Sequence, residues 1–349
     1  MRPAGGAVTL RDVAHRADVS ITTASRILNG RETGVPVRDE TRARILEAAT
    51  ELGYKPNLLA RALRGSRSSL LGVIVRDISD PFHTQVLQGV DDVARERGYR
   101  LFLGHVDWQP DVAATYGSMF EQSHADGILL VGDIVGGDAS LDDLATHHEH
   151  VVGVSDRVGP RRVPGVYVDN VRGTLLALQH LWELGHRDIL CVADQRMADG
   201  PVRAEVYGRF MRERGVADRM RVHFVTQPDP EPSYRLGREV FASLDGPDRP
   251  TAVFAASDTI AIGLLQAAFQ ARIPVPERLS IVGFDDIDVA SFTIPPLTTV
   301  SQSGVEMGRT AATMLLDMIE AADDAEPVAD VVVEPRLVVR ESTAPVPPG

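Results

Sequence analysis

The stretch Val8-Thr9-Leu10-Arg11-Asp12-Val13-Ala14-His15-Arg16-Ala17-Asp18-Val19-Ser20-Ile21-Thr22-Thr23-Ala24-Ser25-Arg26-Ile27-Leu28-Asn29-Gly30 decides how the N-terminal part of the chain folds. Leu10, Val13, Ala14 and Ala17 fall at i, i+3, i+4 and i+7, one apolar face of a short helix with Thr9 in the capping position. Asp18-Val19-Ser20 breaks that period. Ser20 is placed to cap a second helix whose buried stripe is Ala24, Ile27 and Leu28. Asn29-Gly30 ends it, because both residues tolerate left-handed backbone. Two short helices across a three-residue turn predict a helix-turn-helix. The outward face of the second helix carries Ile21, Thr22, Ser25 and Arg26. Thr22 and Arg26, four apart, share a side and are placed to reach base edges in a major groove. Taken alone, the pattern also fits a small helical hairpin with solvated polar residues.

Working outward, a third helix is expected from about Asp39 to Leu52, with Ile45, Ala48, Ala49 and Leu52 on one face and a stop at Gly53. Tyr54 to Gly65 reads as a short amphipathic segment, and Ser66-Arg67-Ser68-Ser69 as a flexible join. The chain has 349 residues and a formal net charge of −13, which at first argues against a nucleic-acid partner. The charge is unevenly spread, however. Residues 1–68 hold twelve Lys/Arg against seven Asp/Glu, a net +5, which leaves −18 for the remainder. Arginine is the head's main cation, Lys55 being its only lysine.

From Leu70 onward, short apolar runs alternate with helical stretches: Leu71–Val75, Arg100–Leu103, Gly127–Val131, Ile189–Val192, Ala252–Ala255 and Leu279–Phe284. Continuous rather than alternating apolar runs indicate strands covered on both faces, hence parallel α/β sheets. About 280 residues of this pattern suit two lobes with a ligand between them. The single Cys191, inside Ile189-Leu190-Cys191-Val192, excludes a disulfide framework and a cysteine-based zinc site and reads as a buried core thiol. No apolar stretch approaches the roughly 18 residues of a membrane span, and Met1-Arg2-Pro3-Ala4-Gly5-Gly6 has no signal-peptide core, so a cytoplasmic location is expected. His147-His148-Glu149-His150 cannot turn all its side chains toward one ion and reads as a surface loop. There is no phosphate-binding loop and no nucleophile elbow, so no catalytic residue, metal or cofactor is assigned.

The order and spacing of Val8–Ala14, Val19–Gly30, Glu51-Leu52-Gly53-Tyr54-Lys55-Pro56-Asn57 and Ala60-Arg61-Ala62-Leu63 resemble the lactose-repressor/galactose-repressor (LacI/GalR) family of transcription factors, and the likeness continues along nearly the whole chain. The resemblance implies a helix-turn-helix headpiece over 1–56, a hinge helix and linker over 57–69, and a two-lobed periplasmic-binding-protein-like core over 70–349. Within that core the first lobe spans about 70–168 and 300–328, and the second about 169–299 and 329–343, with crossings near Val166–Asn170 and Thr298–Ser301. It further implies that Ile21, Thr22 and Arg26 read bases, while Thr9, Ser20, Thr23, Ser25 and Asn29 hold phosphates or position the recognition helix. In the hinge, the resemblance implies DNA contacts at Asn57, Ala60, Leu63 and Arg64. Leu63 is the minor-groove wedge, and a wedge kinks the duplex at about a few kcal/mol per unstacked step.

The same resemblance carries effector contacts onto Phe82, His83, Asp156, Arg203, Ser257 and Asp285. An arginine and two carboxylates converging on a cleft suit vicinal hydroxyls, hence a sugar-like effector. Arg203→Ala is then expected to abolish the ligand response with operator binding intact. Some positions depart from the family pattern. The Arg31–Pro36 loop is longer, and Arg38 replaces a capping serine, with Asp39 available as cap in its place. Ser257 stands for an asparagine, Gly304 for an aromatic, and Phe82-His83 where a purine-responsive member stacks its base. The expected protein is a palindrome-binding homodimer, since no leucine heptad follows Arg340-Glu341-Ser342-Thr343. Two other classes remain in view: a solute-binding protein of a transport system, which the body alone equally supports, and a sugar-modifying enzyme.

Overall fold

The computed structural model describes residues 8–28, 37–54, 67–107, 109–132, 146, 148–154, 163–226, 230–242, 250–321 and 328–346. It divides into two compact units, Met1–Ser68 and Ser69–Gly349.

The first unit is built on three helices, α1 (Leu10–Arg16), α2 (Ile21–Leu28) and α3 (Asp39–Leu52). Thr9 closes a capping box at the start of α1: its amide and hydroxyl donate to Asp12 Oδ2 at 2.8 and 2.7 Å, and the Asp12 amide donates back to Thr9 Oγ1. Asp18 turns the chain with φ 52, a left-handed conformation that Asp tolerates better than most residues. Ser20 Oγ accepts the Thr23 amide at 3.0 Å, which starts α2. Arg38, not Asp39, occupies the N-cap of α3 and makes no side-chain cap bond; Asp39 and Glu40 sit in the first turn, where their charge meets the helix dipole. Val13, Ala14, Ala17, Ala24, Ile45, Ala48 and Ala49 form the core. So rich a share of alanine lets the helices approach closely, and little apolar area is buried.

The second unit contains two six-stranded sheets. The first has the order β11-β5-β4-β3-β1-β2, built from β1 (Leu70–Val75), β2 (Arg100–His105), β3 (Gly127–Val131), β4 (Val151–Val154), β5 (Gly165–Val168) and β11 (Val331–Val333), all parallel. The second has the order β12-β10-β9-β8-β6-β7, built from β6 (Ile189–Asp194), β7 (Arg221–Val225), β8 (Ala252–Ala255), β9 (Ser280–Asp285), β10 (Thr298–Ser301) and β12 (Arg336–Val338). Its strands are parallel except β12, which runs antiparallel to β10.

Helices α4 (Pro81–Glu96), α5 (Pro110–Gln122) and α10 (Gly304–Glu320) cover the first sheet, and α6 (Asn170–Glu183), α7 (Asp199–Glu213), α8 (Pro230–Ala242) and α9 (Asp258–Gln270) the second. Strand β6 shows why the apolar runs are continuous. Ile189, Cys191 and Ala193 pack with Leu178, Leu181, Tyr207 and Phe210 on one face, while Leu190 and Val192 join Val253, Leu264 and Ile281 on the other. Burial pushes the Cys191 thiol far above its ordinary range, so it is no nucleophile at neutral pH.

The chain passes between the lobes three times. It leaves the first sheet after β5, returns through α10 after β10, and leaves again between β11 and β12. The last passage differs from the expected one: residues 331–333 pair with Val166-Tyr167-Val168 in the first sheet, so the second lobe resumes after Val333, not at 329. Helices α4 and α10 cross almost backbone to backbone. A Cβ on Gly89 would stand 2.0 Å from the Val305 carbonyl oxygen, and one on Gly308 equally close to that of Val86.

Candidate nucleic-acid interface and ligand cleft

In the first unit, the capping bonds of Ser20 fix the direction in which α2 starts and leave its first residues outward. Ile21 is 42% exposed and Thr22 is also exposed, although an isolated isoleucine gains nothing by facing water. Ser25 and Arg26 are half-buried on the same helix. Thr9, Ser20 and Thr23 are engaged with the helix starts, the hydroxyls of Ser20 and Thr23 lying 2.8 Å apart. Asn29, Asn57, Ala60, Leu63 and Arg64 lie outside the described residues, as do the Arg31–Pro36 loop and His147. A helix with a polar, exposed N-terminal turn and a basic residue one turn on can enter a major groove and contact phosphate and base edges together.

In the second unit, segments at the carboxyl ends of the parallel strands of the two lobes meet, Gln85 bonding Asp286 and Asp288, and that is the end at which open α/β sheets bind ligands. From the first lobe come Arg76, immediately after β1, and the start of α4. Asp80 caps that helix by accepting the Phe82 amide at 2.9 Å. His83 is fully engaged by the protein: Nδ1 donates to the Asp77 carbonyl at 2.8 Å and Nε2 accepts from Arg76 Nη2 at 3.2 Å. Burial lowers its pKa, opposed by Asp80 and reinforced by Arg76, so the ring is neutral. His83 therefore orients Arg76 rather than offering a free ring nitrogen. Phe82 is buried, and its ring edge would stand 3.1 Å from a Cβ on Gly304. The phenyl group occupies the space a larger residue at 304 would need.

From the second lobe come Asp194 at the end of β6, Arg203 on α7, Ser257 before α9 and Asp285 at the end of β9. Arg203 is 2% exposed. It pairs with Asp199, donates from Nε to Asn170 Oδ1 at 2.8 Å and from Nη1 to the Ala256 carbonyl, and lies over the Phe284 ring at 3.7 Å. Its Nη1 is 3.8 Å from Asp285 Oδ1, which accepts from Gln302 Nε2. Burial drives the Asp285 carboxyl well above the usual range even though Arg203 pulls it back. Ser257 Oγ caps α9 by accepting the Ile260 amide at 3.3 Å. Asp156 lies outside the described residues. The structure thus brings Arg203 and Asp285 together in the second lobe, with Ser257 next to the Ala256 carbonyl that Arg203 bonds, and places Phe82 and His83 in the first turn of α4 in the first lobe. Gln85 of α4 spans the lobes, its Nε2 donating to the Asp286 carbonyl and Asp288 Oδ1 at 3.1 Å each.

Sequence reasoning missed Arg76, Asn170, Asp194, Asp199 and Gln302. The signal that finds Arg76, Asp194 and Gln302 is position: each is the last residue of, or follows directly on, a parallel strand. Behind the cleft, Asp258 accepts from Thr299 Oγ1 and from the Ile287 amide. Burial pushes its carboxyl up to about 7. Unfolding returns it to the ordinary range, so the stability tied to its protonated form is complete below about pH 4 and is lost as pH rises through about 7. Asp258→Asn, which keeps an acceptor for the Ile287 amide, is expected to exceed the parent chain in stability at pH 8 by on the order of a few kcal/mol, an advantage that shrinks toward pH 5. Thermal unfolding across that range checks it.

Among the described residues no helix is long and apolar enough to cross a membrane, and no group of three or more His, Cys, Asp or Glu is arranged to hold a metal ion. Residues 9–57 match the model of bacterial regulatory proteins of the lacI family, and residues 178–343 that of a periplasmic binding protein-like domain. The transcriptional repressor CytR of Escherichia coli (strain K12) is 33% identical over 98% of this chain and 98% of its own length. A lac repressor dimer bound to operator and the anti-inducer ONPF superposes with a TM-score of 0.83 at 23% identity, over 97% of this chain and 100% of that one, a likeness of fold. A complex of the transcriptional regulator CelR with cellobiose has a TM-score of 0.68 at 30% identity, over 96% of this chain and 99% of that one. The function these relatives share is regulation, which is not enzymatic. With a three-helix unit whose α2 begins on exposed residues, a second unit of two parallel-rich sheets, and such relatives along nearly its whole length, the chain belongs to the lacI family of bacterial regulatory proteins and is a transcriptional regulator.

Proposed function

We propose that the chain is a cytoplasmic repressor that binds a palindromic operator as a homodimer and changes its grip when a small, sugar-like effector enters the cleft. What supports this reading is the occurrence, in one chain, of an exposed α2 N-terminus and of a buried Arg203–Asp285 pair at the carboxyl end of the second sheet. Ile21, Thr22 and Arg26 read base edges; Thr9, Ser20, Thr23, Ser25 and Asn29 hold the phosphates or the helix; Asn57 and Ala60 contact DNA from the hinge, where Leu63 and Arg64 enter the minor groove. Asp156, Arg203, Ser257 and Asp285, with Phe82 and His83 shaping the opposite wall, surround the effector. Two-fold pairing through the second unit places two recognition helices on the half-sites. Phe292 and Ile294, 82% and 94% exposed, offer apolar surface for that pairing. Effector binding changes the angle between the lobes and so the separation of the two hinge segments, which shifts the population competent for DNA. The known relatives that repress transcription and bind a disaccharide support this reading over a transport role.

Selection from random DNA tests it. The chain is expected to enrich a palindrome, and Arg26→Ala to relax preference at one position per half-site by about 1–3 kcal/mol without altering the rest of the site. Enrichment of no palindrome would remove the repressor reading.

A further inference from the structure

Asp194, at the end of β6, is among the groups the family resemblance did not assign. Its Oδ1 accepts the amides of Arg196 at 2.6 Å and Met197 at 2.9 Å, which turns the chain from β6 toward α7. Its other oxygen, Oδ2, is buried with no hydrogen-bond partner, and the residue as a whole is 2% exposed. Burial raises its proton affinity; the charge of Asp199, at the start of α7, adds to this, and that of Arg76, which follows β1 in the first lobe, opposes it. Asp194 ends β6 as Asp285 ends β9, so the unpartnered oxygen belongs to the carboxyl end of the second sheet. A carboxylate oxygen shut away from water without a donor is unfavourable, and such groups persist where a ligand supplies what is missing.

The surrounding charge says what kind of ligand that is. Arg203 is engaged by Asp199, Asn170 and the Ala256 carbonyl, and Arg76 by Asp80 at 3.4 Å and by His83. Asp80, Asp199 and Asp258 all act to raise the proton affinity of Asp285. Four carboxyl groups (Asp80, Asp194, Asp199 and Asp285) thus share the region with two guanidinium groups, both already paired. With both guanidinium groups engaged, an anionic substituent brought into this buried space loses its hydration and meets no uncommitted cation, whereas a hydroxyl or ammonium group meets an acceptor at Asp194.

We propose that Asp194 is an effector-binding residue whose Oδ2 accepts from a ligand hydroxyl or ammonium group, and that the cleft takes neutral or amine-bearing polyols and rejects their phosphate esters. This rests on the cleft being the effector site. Asp194 sets the class of ligand from the second lobe while Arg76 balances it from the first, so the discrimination is strongest with the lobes closed.

The test uses the full-length chain with Asp194→Asn and Asp285→Asn, and matched probes: glucose, glucosamine and glucose 6-phosphate; ribose and ribose 5-phosphate; adenosine and adenosine 5′-monophosphate. Calorimetry and thermal shift at pH 7.5 are expected to show the neutral or amine form binding at least about tenfold more tightly than its phosphate ester, with Asp194→Asn removing about tenfold of its affinity. Tighter binding of an ester than of its parent overturns the inference. If Asp285→Asn weakens a probe and Asp194→Asn does not, the assignment of Asp194 falls while the cleft stands; if neither variant alters a probe that binds, the effector-site reading falls. The ligand-free protein supplies a second readout that does not depend on which effector binds. Asparagine keeps the acceptor for the Arg196 and Met197 amides and removes the unpartnered charge, so Asp194→Asn is expected to raise the unfolding temperature without ligand. A lowered temperature would make Asp194 a turn-forming residue only and overturn the proposal.

Discussion

Arg203→Ala is expected to lower the stability of the second unit by about 3–5 kcal/mol, enough to unfold a large share of it at 37 °C. The guanidinium is 2% exposed and holds together residues from four places in the chain: Asp199 on its own helix, Asn170 at the start of α6, the Ala256 carbonyl after β8, and the ring of Phe284 in β9. Alanine would leave the half-buried Asp199 without its cation and remove the donor to two acceptors. The sequence led us to expect a variant that still bound operator and was deaf to ligand. The geometry replaces that with a variant that loses both, through the fold. Adding Asp199→Asn to Arg203→Met, so that no charge is left uncompensated and the methionine fills the volume, should recover part of the loss. Chemical denaturation of the three variants measures this. A destabilisation below about 1 kcal/mol would mean that Arg203 holds the ligand and little else.

Ala24→Glu should unfold the first unit and leave the second untouched. Ala24 is fully buried among Val13, Ile45 and Ala48, in a core too small and too alanine-rich to absorb a carboxylate. Burying an unpaired charge costs several kcal/mol, which exceeds the reserve of a three-helix unit of this size. Operator affinity is expected to fall to the level of bulk DNA, on the order of a thousandfold. The main calorimetric transition, which belongs to the second unit, should keep its midpoint, and ligand-induced shifts should persist. Loss of that transition as well would show that the two units fold as one.

Much of the fold is legible in the amino-acid order. The Leu10/Val13/Ala14/Ala17 period, the Ser20 cap and the Gly53 stop are local signals, and local signals place helices well. Strands such as Ile189–Asp194 are legible because burial on both faces leaves unbroken apolar runs. What escapes is non-local. Strand β11 is only Val331-Val332-Val333, part-exposed, and its membership of the first sheet depends on Val166–Val168, far away in the chain. The cap of α3 shifts by one residue because the backbone extends at Arg38, whatever its side chain can bond. In the cleft, resemblance marks Arg203 and Asp285, yet cannot show that His83 is engaged at both nitrogens or that Asp194 keeps an oxygen unpartnered. Those facts are properties of three-dimensional neighbours.

The formal charge of −13 is therefore two charges with different tasks. A head near +5 can neutralise phosphates, and a body near −18 disfavours DNA elsewhere, which confines contact to the head. Repression through a palindromic operator is tested most directly by the affinity of the full-length chain, at about 150 mM salt, for its selected palindrome and for a scrambled duplex of equal length. The palindrome is expected to bind about a thousandfold more tightly or better, with that preference shifted by a non-anionic polyol that binds the cleft. Equal affinity for the two duplexes would contradict a sequence-specific repressor.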